Sequence, residues 1–307
     1  MIPALLILSF ACAPSYRSVQ GLGESTVALS DAAMGTYGAI DEAWQTSAFY
    51  LMLSAPELPA LDAERLASPL TAERLAARQA ALSALSAYGA GLAALSVAED
   101  PAAAEAAVLN LHSSLIGVGA SLRANGVING QTEVSDEALR AGFVALEGAR
   151  RLAVAKLKRE GLRAAITAAD PGVQGLTALL IDELNPQGEL CVSGAEQWRA
   201  AAGSYRLAHV DDPENLGRPE AWSNRSWVGR AELLAGIDGL AARGPAVISA
   251  CAELSAAATS FGAAHGALAQ GVASRRLDLD AAAEAVAQLS ADAQALQSLY
   301  QNFPTRE

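Results

Sequence analysis

The side chains able to do chemistry are few and scattered. The 307 residues include only 3 His and 3 Cys. The histidines are His112, His209 and His265, and the cysteines are Cys12, Cys191 and Cys251. No Cys-x-x-Cys, His-Glu-x-x-His or Gly-x-Ser-x-Gly pattern occurs, nor a Gly-rich phosphate loop with Lys. Too few nitrogen and sulfur donors remain for a closed zinc site. The acidic run Asp211-Asp212-Pro213-Glu214-Asn215 lacks the spacing and central Gly of a calcium loop. No metal, cofactor or catalytic set is therefore expected, and the chain reads as a non-enzyme. His265 falls on an apolar seam, where a hydrogen-bonded core histidine is expected rather than a metal ligand or pH sensor.

One stretch concentrates side chains suited to binding. Residues 185–230 carry Trp198, Trp222 and Trp227, with Tyr205, Arg206, His209 and Arg218. Trp, Tyr and Arg are the favoured residues of binding hot spots. Pro186, Pro213, Pro219 and several glycines break the alanine-rich pattern, so an irregular insertion is expected here. It reads as a cap of aromatic anchors sealing one end of a helical bundle, with a ligand pocket as the alternative. The basic run Arg150, Arg151, Lys156, Lys158, Arg159 and Arg163 spreads around its helical wheel. Ordinary solvation and local ion pairs are expected of it. Cys191 and Cys251 are left open between two buried thiols, the commoner state in Ala-rich helices, and a bridge, which an oxidising compartment would permit.

Residues 2–11, Ile-Pro-Ala-Leu-Leu-Ile-Leu-Ser-Phe-Ala, form an apolar run that ends at Cys12. A membrane helix needs about 20 residues. This shorter run suits the hydrophobic region of a signal peptide. A Cys directly after a small residue resembles the lipobox of bacterial lipoproteins. The family's Leu three places before the Cys is Ser9 here, with Leu8 beside it. The resemblance implies that residues 1–11 are removed and that Cys12 is acylated. Residues 12–20 would then be a tether. Ala13, where sorting to the inner membrane favours Asp, implies an outer-membrane lipoprotein facing the periplasm. Several acyl chains would attach it firmly.

The elements that follow are helices written in steps of four and three. Leu22, Thr26, Leu29, Ala33, Tyr37, Ile40 and Trp44 make the first seam, which Pro56 and Pro59 stop. Thr71 is the expected N-cap of a second helix lined by Leu75, Leu82, Leu85 and Leu92. Asp100-Pro101 starts a third, with Ala104, Val108, Leu111 and Leu115 on its inner face. A fourth is expected from Ser135 to about Ala169, and Asp170-Pro171 repeats the start signal ahead of a short apolar helix. After the irregular stretch, Gly244-Pro245 is expected to kink or open the chain. Val247, Cys251, Leu254, Ala258, Phe261, His265, Leu268 and Val272 then mark one long helix. Ala282, Val286, Leu289, Ala293, Leu296, Tyr300 and Phe303 mark the last.

The composition agrees. Hydrophobic residues make up 52% but aromatics only 5%, because 71 residues are Ala. Such a chain collapses, and it favours helix. A net charge of −12 repels phosphate, so nucleic acid is not an expected partner. No run of 18 consecutive apolar residues follows the leader, so no later membrane span is expected. The fold class is all-α: an elongated antiparallel bundle with coiled-coil-like heptad seams. It divides into a first bundle part over 21–184, the irregular stretch over 185–230, and long C-terminal helices over 231–303. The expected function is a cell-envelope lipoprotein serving as scaffold or interaction module for an envelope protein partner. A ligand-binding bundle and a membrane-perturbing protein are the alternatives.

Overall fold

The computed structural model describes residues 16–54, 68–124, 154–211, 225–273 and 282–301. They form seven α-helices: α1 (Arg17–Ser54), α2 (Ala72–Val97), α3 (Pro101–Ala124), α4 (Val154–Glu183), α5 (Glu189–Arg206), α6 (Trp227–Ala273) and α7 (Ala283–Gln301). A π-helical turn, Leu207–Asp211, continues α5. Among the described residues there is no strand, and the class is all-α.

The steps of four and three hold. Leu22, Thr26, Leu29, Ala33, Tyr37 and Ile40 are all buried along α1. So are the eight seam residues of α6 from Val247 to Val272. Where a seam position is polar, its hydroxyl turns back on its own helix. Thr26 Oγ1 donates to Leu22 O at 2.7 Å and Ser30 Oγ to Thr26 O at 2.8 Å, so neither hydroxyl is stranded.

Small side chains set the spacing of the helices. α1 and α2 run antiparallel and cross at Gly23 and Gly89. A Cβ on Gly89 would sit 2.6 Å from Gly23 O, so only glycine fits there. α2 and α3 are also antiparallel, with Gly91 against Leu111 and Gly117 against Ala84. The 38 residues of α1 make a rod of about 57 Å, and the 47 of α6 one of about 70 Å. The bundle is therefore elongated. Not every neighbour is antiparallel, however. α4 and α5 run the same way, joined by residues 184–188. α6 descends along both, from Tyr205 beside Gly236 to Arg163 beside Val272. α5 consequently lies parallel to α1, with Gly194 on Ile40 and Tyr205 on Tyr50.

Three local expectations need correction. Asp170-Pro171 does not start a helix, because α4 passes through it. Gly244-Pro245 likewise lies inside α6, so the chain does not open there. Both prolines point to solvent, as do Thr167 and Ala241 four residues before them. The carbonyl that each proline leaves without an N–H partner can therefore bond to water. The third correction concerns residues 185–230. Residues 189–206 are regular helix, with Glu189 in the first turn at the positive N-terminus. Helix resumes at Trp227. Arg218 and Trp222 lie outside the described residues, as do the leader, residues 12–15 with Cys12, and residues 125–153 with Arg150 and Arg151; the rest of the expected tether is corrected too, because residues 17–20 already belong to α1.

Candidate functional site

Three polar junctions between helices carry aromatic or charged side chains inward. The most buried joins α2, α4 and α6. His265 is wholly buried on α6. Its Nδ1 lies 2.9 Å from Asp170 Oδ1 on α4, and its Nε2 lies 2.9 Å from Tyr88 Oη on α2. A neutral imidazole satisfies both contacts: Nδ1–H donates to the carboxylate, and the Tyr88 hydroxyl donates to Nε2. Gln174 steadies the carboxylate from the next turn of α4, donating to Asp170 Oδ1 at 3.3 Å. The same amide donates to Gly262 O at 3.0 Å and so ties α4 to α6. The order carboxylate, imidazole, hydroxyl matches that of a catalytic triad, in which the carboxylate orients the imidazole. Here Tyr88 and His265 have no exposed surface, so a substrate would reach them only by parting the helices. His265 is thus the hydrogen-bonded core histidine expected from its seam position.

A second junction lies farther along the bundle. Tyr37 Oη on α1 donates to Glu183 Oε2 at 2.7 Å. Arg78 on α2 grips the same carboxylate with two donors, its Nε at 3.0 Å from Oε2 and its Nη2 on Oε1. Burial pushes the pKa of the Tyr37 hydroxyl well above its usual value, and the adjacent Glu183 charge adds to this. At the third junction Arg243 of α6 reaches Glu42 Oε1 at 3.1 Å and lays its guanidinium 4.6 Å from the centre of the Trp198 ring. Arg243 is 5% exposed, and the cation–π contact helps to offset its burial.

Among the described residues, the aromatic and basic side chains singled out in 185–230 do not form one cluster. Trp198 is entirely buried in the core, with its Nε1–H unpartnered. Trp227 is 81% exposed at the start of α6. Tyr205 and His209 do come together, ring centres 4.7 Å apart, and Tyr205 also stacks on Tyr50 at 4.7 Å. Burial, and then the neighbouring Arg225 charge, lower the His209 pKa. Arg206 is exposed beside them. Trp198 therefore acts as an internal anchor within a regular helix.

The two cysteines settle as a bridge, against the commoner expectation of free thiols. Cys191 in the first turn of α5 is disulfide-bonded to Cys251 in mid α6, with Cα atoms 6.4 Å apart. Two members of the basic run, Lys158 and Arg163 on α4, serve the packing. Lys158 Nζ donates to Ala98 O at 3.0 Å, and Arg163 Nε donates to Val272 O at 2.7 Å. Each cation thereby caps the carbonyl end of a neighbouring helix.

Among the described residues no cluster of His, Cys, Asp and Glu is placed to hold a metal ion. The membrane expectation changes. α2, α4 and α6 are each long and apolar enough to cross a bilayer, although no stretch is continuously apolar. Alanine raises the average hydropathy of a window that scattered Ser, Gly and Gln interrupt. No known family matches the chain, and comparison with curated proteins and solved structures finds no similar one.

Proposed function

We propose that this chain is a non-enzymatic lipoprotein of the bacterial cell envelope, held by an acylated Cys12 to the outer membrane and facing the periplasm. Its helical bundle serves as a scaffold for an envelope protein partner. The Cys191–Cys251 bridge carries this reading. Structural disulfides persist in oxidising compartments and are rare in a reducing cytosol. The apolar run ending at Cys12 supplies the matching export signal. The interior adds support, because the ionisable groups at its three junctions are engaged in joining helices. The geometry also suits a spacer. α1 begins at the end nearest the proposed anchor and runs about 57 Å to the opposite end. Exposed Phe49, Met52, Leu207 and Trp227 lie toward that far end.

The test is mass spectrometry of the protein extracted from membranes of a bacterial host. The reading expects an N-terminal peptide that begins at an acylated Cys12 and an intact Cys191–Cys251 bridge. A chain that retains residues 1–11, or a mature protein without acyl groups, would overturn it.

A further inference from the structure

We propose that α2, α4 and α6 form a unit able to pass from the water-soluble bundle into a lipid bilayer, and that the Asp170–His265–Tyr88 network is the latch opposing this transfer. Two independent observations meet here. Among the described residues, α2, α4 and α6 are the helices long and apolar enough to cross a membrane. The buried network takes one side chain from each of the same three helices.

The sequence around each latch residue fits the transfer. After Arg78, α2 has no charged residue to its end. Residues 164–181 of α4 hold Asp170 as their sole charge. Residues 244–270 of α6 hold only Glu253 besides His265. Only about half of each apolar window is buried in the bundle. The remainder is largely Ala, Gly and Ser, which are tolerated in water and pack closely in lipid. The latch residues are the groups that resist. In the bundle, Asp170 has His265 and Gln174 as partners. In hydrocarbon its carboxylate is expensive. Neutralising Asp170 therefore weakens the soluble packing and removes one of the two carboxylates, Asp170 and Glu253, that oppose entry of these stretches into lipid.

The experiment uses the full chain with Cys12→Ser, so that no acyl group contributes, mixed at neutral pH with phosphatidylcholine–phosphatidylglycerol vesicles. The readouts are flotation that survives a high-salt wash and hydrogen exchange of the floated protein. Asp170→Asn is expected to raise the floated fraction several-fold over the parent. Amides of α2, α4 and α6 stay protected, while those of α1 and α7 exchange. Glu183→Gln disturbs the other junction on α4 and measures mere loosening; its floated fraction stays near the parent's. The proposal is overturned if Asp170→Asn does not float above the parent. It is equally overturned if Glu183→Gln matches it, or if α2, α4 and α6 exchange freely on the vesicles. Because Cys12 is replaced, this outcome and the acylation of Cys12 are decided separately.

Discussion

Cys191 and Cys251 join α5 to α6 just beyond the turn where α4 gives way to α5, closing a loop between positions 60 residues apart. The chain-entropy estimate for such a loop is about 4 kcal/mol, and measured values run at or below it. Replacing both cysteines by Ala is expected to cost about 2–4 kcal/mol in urea unfolding. The helical signal in circular dichroism should persist, because α5 also packs on α1 through Gly194 and Ile40. A double variant as stable as the parent would mean that the bridge does not constrain the unfolded chain.

The Gly23–Gly89 crossing yields a sharper contrast. A Cβ on Gly23 would strike the backbone at Gly89 and Ala93, which no rotamer change relieves. Gly23→Ala should push α1 from α2 and cost about 1–3 kcal/mol. Gly38, on the same helix, has nothing within 4 Å of its added Cβ. There Ala should raise stability by up to about 1 kcal/mol, as in any open helical position. Thermal melts of the two variants should move in opposite directions. Shifts of the same sign would contradict the proposed role of the crossing.

Much of this fold is legible in the sequence, for physical reasons that also explain the failures. Caps are local, so Thr71 and Asp100 are readable. The Thr71 side chain accepts from Arg74 N, and Asp100 Oδ1 accepts from Ala103 N at 2.9 Å. Asp170-Pro171 looks identical to Asp100-Pro101 as a dipeptide. Its Asp, however, is drawn to His265, 95 residues away, and its Pro faces water. Seams are periodic, so the burial of Leu22 through Ile40 could be read directly. The partners across seams are not periodic. Nothing around Tyr88 announces that it meets His265, nor around Glu183 that Tyr37 and Arg78 converge on it. The aromatic residues of 185–230 misled because exposure depends on place in the bundle: Trp198 faces the core, while Trp227 opens α6 in a stretch where no residue before Leu233 is buried.

That difference in placement is testable. Trp198→Ala removes a fully buried indole beneath Arg243 and should cost about 3–5 kcal/mol. Trp227→Ala should leave stability within about 0.5 kcal/mol, since its side chain is mostly in water. Chemical unfolding followed by far-ultraviolet dichroism reads both without relying on Trp emission. A large loss from Trp227→Ala would show that its surroundings differ from those described.

Alkaline stability tests the second junction. The Tyr37 hydroxyl has its pKa raised, first by burial and then by the Glu183 carboxylate. The folded protein therefore retains this proton after the unfolded chain has begun to lose it, near pH about 10. The contribution is present in full below that pH and is lost as pH rises toward the folded-state pKa. Urea unfolding from roughly pH 8 to 11 should thus show a steeper decline for the parent than for Tyr37→Phe. At neutral pH the variant should be the less stable by about 1.5–3 kcal/mol, the usual worth of a hydrogen bond to a charged group. Parallel declines for the two proteins would mean that Tyr37 ionises as freely in the folded state as in the unfolded one, and the buried Tyr37–Glu183 contact would have to be abandoned.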